Sequence, residues 1–112
     1  MKHTETLNRN ADFRRLYHRG KSYTNPALVV YYQRNRAGIC RIGITVSKKI
    51  GNAVQRNRCK RIIRAAYAEI EPLLLENYDF VFVARSKTKY LKSTEIKAVM
   101  LSILQKAGAI EI

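Results

Sequence analysis

The chain has 112 residues, 22 of them Lys or Arg and 8 Asp or Glu, for a formal net charge of +14. That length suits one domain, and 46% hydrophobic residues are enough to fold it, while the charge excess opposes compaction and calls for a polyanionic partner. No apolar stretch approaches the ~18 residues of a membrane span, and the polar N-terminus MKHTETLNRN lacks the apolar core of a secretory signal.

Asn10 is placed to cap a first helix, with Asp12 in its first turn, Phe13, Leu16 and Tyr17 at helical spacing, and Gly20 as its stop. Pro26 precedes a β-branched and aromatic run, Ala27 to Gln33, that predicts a strand. Tyr31 and Tyr32 are adjacent in it, so they face opposite sides of the sheet and at most one belongs to the core. Asn35-Arg36-Ala37-Gly38 reads as a hairpin loop. Beyond it Cys40, Ile42, Ile44 and Val46 alternate with Arg41, Gly43, Thr45 and Ser47, the period of a half-buried strand.

Gly51-Asn52 opens a second helix, from about Ala53 to Glu71, with a core stripe of Cys59, Ile62, Ile63, Ala66 and Ile70. Asp79 to Ala84 is apolar on both faces, which predicts a central strand covered on both sides. Ser93 is placed to cap a last helix, with Glu95 near its start and Gly108 at its end. Ile96, Val99, Met100, Ile103, Leu104 and Ala107 share one face of it. The order is therefore helix, two or three antiparallel strands, helix, strand, helix: an α+β sandwich, expected as a single domain over residues 1–112.

The charge is unevenly placed. Asp12 is followed by no acid until Glu69, and 14 basic residues lie between Phe13 and Ala68; the other 8 balance the 8 acids. On the second helix Arg56, Asn57, Lys60, Arg61 and Arg64 lie away from the core stripe. Arg56, Lys60 and Arg64 form an i, i+4 row of like charges, a cost of up to about 0.5 kcal/mol per pair. Arg56 and Arg58 also sit near the positive end of the helix dipole, a further cost of about 0.3–1 kcal/mol. A charge run is ordinarily a solvated face, but that reading leaves both penalties standing. A nucleic-acid backbone against the helix removes them. Phe13 and Tyr17, which taken alone would only pack helix on sheet, then offer stacking platforms for unpaired bases, worth about 1–3 kcal/mol each.

Catalytic groups do not assemble in this pattern. The acids form no compact pair on the basic face, His3 and His18 stand outside any triad or metal-ligand spacing, and Cys40 and Cys59 are unclustered. The chain is expected to bind a nucleic acid, to hold no metal or cofactor of its own, and to leave chemistry to its partner.

The stretch Arg41 to Arg64, RIGITVSKKIGNAVQRNRCKRIIR, with Arg-Asn-Arg-x-Lys-Arg-x-x-Arg at Arg56 to Arg64, resembles the signature of the bacterial ribonuclease P protein subunit. The resemblance extends to NADFRRLY at Asn10–Tyr17, to Gly20 and to the Asp79–Arg85 strand. It implies a two-layer α/β sandwich in the order α-β-β-β-α-β-α, similar to a ribosomal-protein domain, with a left-handed crossover around the basic helix. It also implies an accessory role in an endoribonuclease: a protein assisting a catalytic RNA, which removes the 5′ leader of precursor tRNA by Mg²⁺-dependent hydrolysis. The two unclustered cysteines fit a reducing, cytoplasmic location. By position, Arg56, Asn57, Arg58, Lys60, Arg61 and Arg64 match the family's RNA-contacting set, and Lys48 and Lys49 its Ser-Lys-Lys turn. Phe13, Tyr17 and Tyr31 match the leader-binding cleft, with Arg14 beside it, so the resemblance favours Tyr31 over Tyr32. Two other readings fit a basic chain: a structural ribosomal-type RNA-binding protein, and a cationic membrane-active protein whose helices would lack the core stripes seen here.

Overall fold

The computed structural model describes residues 3–111; Met1 and Lys2, which open the polar N-terminus, and Ile112 lie outside them. In chain order the elements are β1 (Thr4–Thr6), α1 (Asn10–Arg19), β2 (Lys21–Asn25), β3 (Leu28–Arg34), β4 (Cys40–Thr45), α2 (Ala53–Ile70), β5 (Tyr78–Ala84) and α3 (Ser93–Lys106). Short 3₁₀ turns at Lys48–Ile50, Glu71–Leu73 and Thr88–Tyr90 join them. From Asn10 onward this is the expected α-β-β-β-α-β-α order.

The five strands form one sheet in the order β1-β4-β5-β3-β2. β5 takes the middle because both its faces are apolar: Phe80 and Phe82 on one side and Val81 on the other are all fully buried. Each such side chain contributes about 1.5–3 kcal/mol by leaving water. β3 pairs with β5 antiparallel, and β4 pairs with it parallel after the crossover through α2.

The predicted hairpin at Asn35–Gly38 therefore does not form. β3 and β4 run in opposite directions, but β5 lies between them, and the loop bridges the start of that strand. Asn35 fixes the bridge, its backbone N–H donating to the Asn77 carbonyl (3.0 Å) and its side-chain amide to the Ile39 carbonyl (3.0 Å). Turn residues reveal that a chain reverses; they do not reveal a strand inserted from about 40 residues downstream.

β1 is an addition that its polar sequence does not signal. It pairs parallel with the edge of β4, Thr4 opposite Cys40, and the Thr4 hydroxyl bonds with the Tyr67 hydroxyl (2.8 Å) and the Glu71 carboxylate. β2 pairs antiparallel with β3 at the other edge.

The main core lies between the sheet and α2 with α3. Cys59, Ile63, Ala66 and Ile70 of the predicted stripe are buried there, Ile62 is half-buried, and Tyr67 joins them fully buried. From α3, Ile96, Met100, Ile103 and Leu104 complete it. α1 lies on the opposite face, where Leu7, Leu16 and Val81 form a smaller core with Phe13, Tyr31 and Val83 packed against it.

α2 starts as predicted. Asn52 Oδ1 accepts the Gln55 N–H (2.9 Å) and Gln55 Oε1 accepts the Asn52 N–H (3.0 Å), a reciprocal cap. The other two predicted caps shift by one residue. Asn10 and Ser93 are the first helical residues of α1 and α3, preceded by Arg9 and Lys92, and neither helix has a side-chain cap on its orphan N–H groups. At the start of α3 the Glu95 carboxylate reaches back to the Lys92 N–H (3.0 Å). Gly108 ends that helix at φ +76°, a conformation that strongly favours glycine.

Candidate nucleic-acid interface

The α1 face of the sheet presents an aromatic ledge. Strand alternation puts Tyr31 on this side and Tyr32 on the other, where Tyr32 is buried between Tyr23 and Tyr78. Tyr31 meets Tyr17 of α1 edge-on, with ring centroids 4.9 Å apart. Tyr17 is 39% exposed, and its hydroxyl bonds with Thr45 Oγ1 across the groove (2.7 Å). Phe13 seats in a dent made by Gly43: a Cβ on that residue would run into the Phe13 ring. In the sequence Gly43 is only one more outward strand position. Beyond Tyr31, half-buried Val29, Val83 and Thr45 share one row of the sheet, so the ledge continues past α1. Arg14 is exposed on the outer side of α1, where with Ala11, Arg15, His18 and Arg19 it lines an open depression.

Besides its apolar contacts, α1 is tied to the sheet by a buried carboxylate that the sequence pattern does not signal. Asp79 is fully buried, and Arg41 grips it with two bonds, Nε to Oδ1 and Nη2 to Oδ2, both 2.8 Å. Arg15 of α1 adds Nη2 to Oδ2 at 2.7 Å, and the Asn35 amide adds a bond to Oδ1 at 2.8 Å. One carboxylate thus ties together α1, β4, β5 and the bridging loop. These bonds raise the Arg41 pKa further, so it stays charged. Arg15 and Arg41 belonged to the basic excess in the sequence; in the fold both pair with this internal acid, and Arg15 also with Asp12 (3.5 Å). The only trace of this hub in the sequence is Asp79 itself, the lone charge opening an otherwise apolar strand.

The second surface is the outer face of α2. Asn57, Lys60, Arg61 and Arg64 lie on the side opposite buried Cys59, Ile63 and Ala66, with Lys60, Arg61 and Arg64 exposed. Burial pushes the Cys59 thiol up in pKa, which suits a core side chain and no reactive role. At about 1.5 Å rise per residue, the Arg56, Lys60 and Arg64 row places a cation about every 6 Å along the axis. The Arg56 Nε is buried with no hydrogen-bond partner. Arg56 lines a cavity of about 180 Å³ with Val46, Ala53, Asn57 and Lys60. Lys48 and Lys49 are exposed on the 3₁₀ turn that leads from β4 toward α2.

Arg58 is placed differently from the rest of the predicted set. Its Nη1 donates to the Lys89 carbonyl (2.7 Å) and its Nη2 to the Leu91 carbonyl (2.9 Å), so it faces the loop before α3. The predicted residues therefore fall into two groups on opposite sides of the sheet: Phe13, Arg14, Tyr17 and Tyr31 with α1, and Arg56, Asn57, Lys60, Arg61 and Arg64 on α2. The first arrangement can stack flat unpaired bases; the second can track a phosphate backbone.

Residues 1–108 match the family model described as Ribonuclease P. The chain is 44% identical over 110 residues to a ribonuclease P protein component from Clostridium novyi, covering 96% of this chain and 97% of that one. It is 40% identical to the ribonuclease P protein component of Oceanobacillus iheyensis, covering 99% of this chain and 93% of the other. Among solved structures, the Staphylococcus aureus RNase P protein superposes with a TM-score of 0.83 at 34% identity, covering 95% of this chain and 97% of that one. The Thermotoga maritima RNase P protein does so with 0.80 at 27% identity, covering 91% and 96%.

Proposed function

The chain belongs to the ribonuclease P protein family, a subunit of the endoribonuclease that processes the 5′ end of tRNA, and we propose that it assists a catalytic RNA through two separate contacts. In this reading the catalytic RNA docks on α2 and the turn before it, with Arg56, Asn57, Lys60, Arg61, Arg64, Lys48 and Lys49 facing its phosphates. Precursor tRNA lays its single-stranded 5′ leader across the other face, on Phe13, Tyr17 and Tyr31 with Arg14 at the margin. The whole chain acts as one RNA-binding domain in the cytoplasm.

The observation that carries the reading is the Tyr17–Tyr31 pair, held edge-on at 4.9 Å at the mouth of the ledge. Edge-on packing leaves ring faces available, the Thr45 bond fixes the Tyr17 ring, and the Asp79 hub fixes the helix that carries it. A preformed platform of this kind orders a flexible leader at low entropic cost to the protein. The α2 row contributes long-range attraction and counterion release.

Hydrolysis itself falls to the RNA. Mg²⁺ is implied for the holoenzyme, and the buried carboxylates among the described residues do not fit it. Asp79 is filled by Arg15, Arg41 and Asn35, and Glu71 is engaged by the Thr4 hydroxyl. The protein's part is to hold and orient two RNAs.

The test compares the reconstituted holoenzyme with precursor and mature tRNA. Tyr17→Ala weakens binding of the precursor by about 5- to 100-fold, the range of one stacked base, and leaves mature tRNA unchanged. Equal losses on both tRNAs would remove the leader from this face.

A further inference from the structure

The 8 basic residues outside Phe13–Ala68 balance the acids in number, but half of them fold into one place. Residues 85–92, RSKTKYLK, carry Arg85, Lys87, Lys89 and Lys92 with no acid among them. At their centre Tyr90 is 75% exposed, the most exposed of the large apolar side chains among the described residues.

An exposed tyrosine on a slack loop would mean little. This loop is fastened on every side. Thr88 is fully buried; its hydroxyl donates to the Ala27 carbonyl (2.5 Å) and accepts the Arg85 N–H (2.8 Å). Lys89 Nζ donates to the Ile50 carbonyl, 2.7 Å away on the turn before α2. Arg58 grips the carbonyls of Lys89 and Leu91, the residues on either side of Tyr90. The Tyr90 side chain takes part in none of these bonds, so they fix its backbone and leave its ring outward. The Lys89 ammonium lies 5.2 Å from the ring centroid, which adds positive potential beside it.

We propose that residues 85–92 form a third RNA contact, in which Tyr90 stacks on an unpaired base and Arg85, Lys87 and Lys92 meet its flanking phosphates. RNA is favoured over an apolar protein partner because the ring stands alone among cations. Arg58 is the positioning residue: a member of the α2 basic set that acts through the loop it holds. The contact extends the RNA-binding face of α2 around its first turns. The inference rests on the reading of this chain as an RNA-binding subunit.

Binding of the full chain to ribonuclease P RNA is measured across a salt series for the unaltered protein and for Tyr90→Ala, Tyr90→Phe and the double variant Lys87→Gln/Lys92→Gln. Tyr90→Ala weakens binding about 5- to 100-fold with no change in the log-log salt slope, because stacking releases no counterions. Tyr90→Phe stays within about twofold of the unaltered chain, since it keeps the ring face that stacks. The double lysine variant flattens the slope by about 0.7–0.9 for each phosphate it no longer neutralises. Unaltered affinity in Tyr90→Ala, or a Phe variant as weak as the Ala variant, would overturn the third contact and leave the α2 and ledge readings intact. Failure of the unaltered chain to bind would overturn both.

Discussion

Removing the Asp79 carboxylate leaves the Arg41 guanidinium without its acid and Arg15 with only Asp12, 3.5 Å away. Both pairs with Asp79 are close, 2.7 and 2.8 Å, and the acid is fully buried while the arginines are about one-third exposed. Taking one member out of a buried pair costs about 3–5 kcal/mol, and the partial exposure of both arginines puts this case at the low end, about 3 kcal/mol. Asp79→Ala is therefore expected to lower the free energy of urea unfolding by about that amount. It should also loosen α1, which the structure attaches to the sheet through Arg15. A loss under about 1 kcal/mol, the size of an exposed pair, would mean the hub does not hold the fold. At this scale the sequence was least legible. Asp79 opens an apolar run, and its partners lie 38 and 64 positions away in the chain, so neither local pattern nor charge counting links them. Gly43 is a similar case: its small size matters only because Phe13 comes to rest on it.

Among the elements, α2 was the most legible, since a helical period separates its buried and basic faces without reference to anything else. Only Tyr67 was missed from its buried face, where its hydroxyl meets Thr4 of a strand too short and polar to be predicted. β5 was read correctly as central from apolar residues on both faces. That same property displaced the predicted hairpin, since the strand inserts between β3 and β4. The basic face of α2 carries a prediction of its own. Arg64 is exposed at the end of the Arg56, Lys60, Arg64 row and takes part in none of the ion pairs among the described residues. Arg64→Ala should weaken assembly with the catalytic RNA and flatten the salt slope by about 0.7–0.9, with thermal stability unchanged. Weaker binding at an unaltered slope would mean the residue contributes something other than a phosphate contact.

Over the whole molecule, the +14 charge resolves into parts with different work. Arg15 and Arg41 answer an internal acid, Arg58 holds a loop, and the exposed cations of α2 and of residues 85–92 remain for a polyanion. The aromatic ledge lies across the sheet from α2, so one RNA can be held without covering the surface proposed for the other. The resemblance in Arg41–Arg64 made the family legible from sequence; the division of the cations needed the fold, because it depends on which acids and carbonyls come near. The central claim, a protein that assists an RNA catalyst by binding, is tested most directly by cleavage of precursor tRNA by ribonuclease P RNA at low Mg²⁺, with and without this chain. Cleavage at the 5′ leader junction should be strongly stimulated by the protein, and the stimulation should fade as Mg²⁺ rises and screens the RNA alone. Equal cleavage with and without the protein across the Mg²⁺ series would contradict the account.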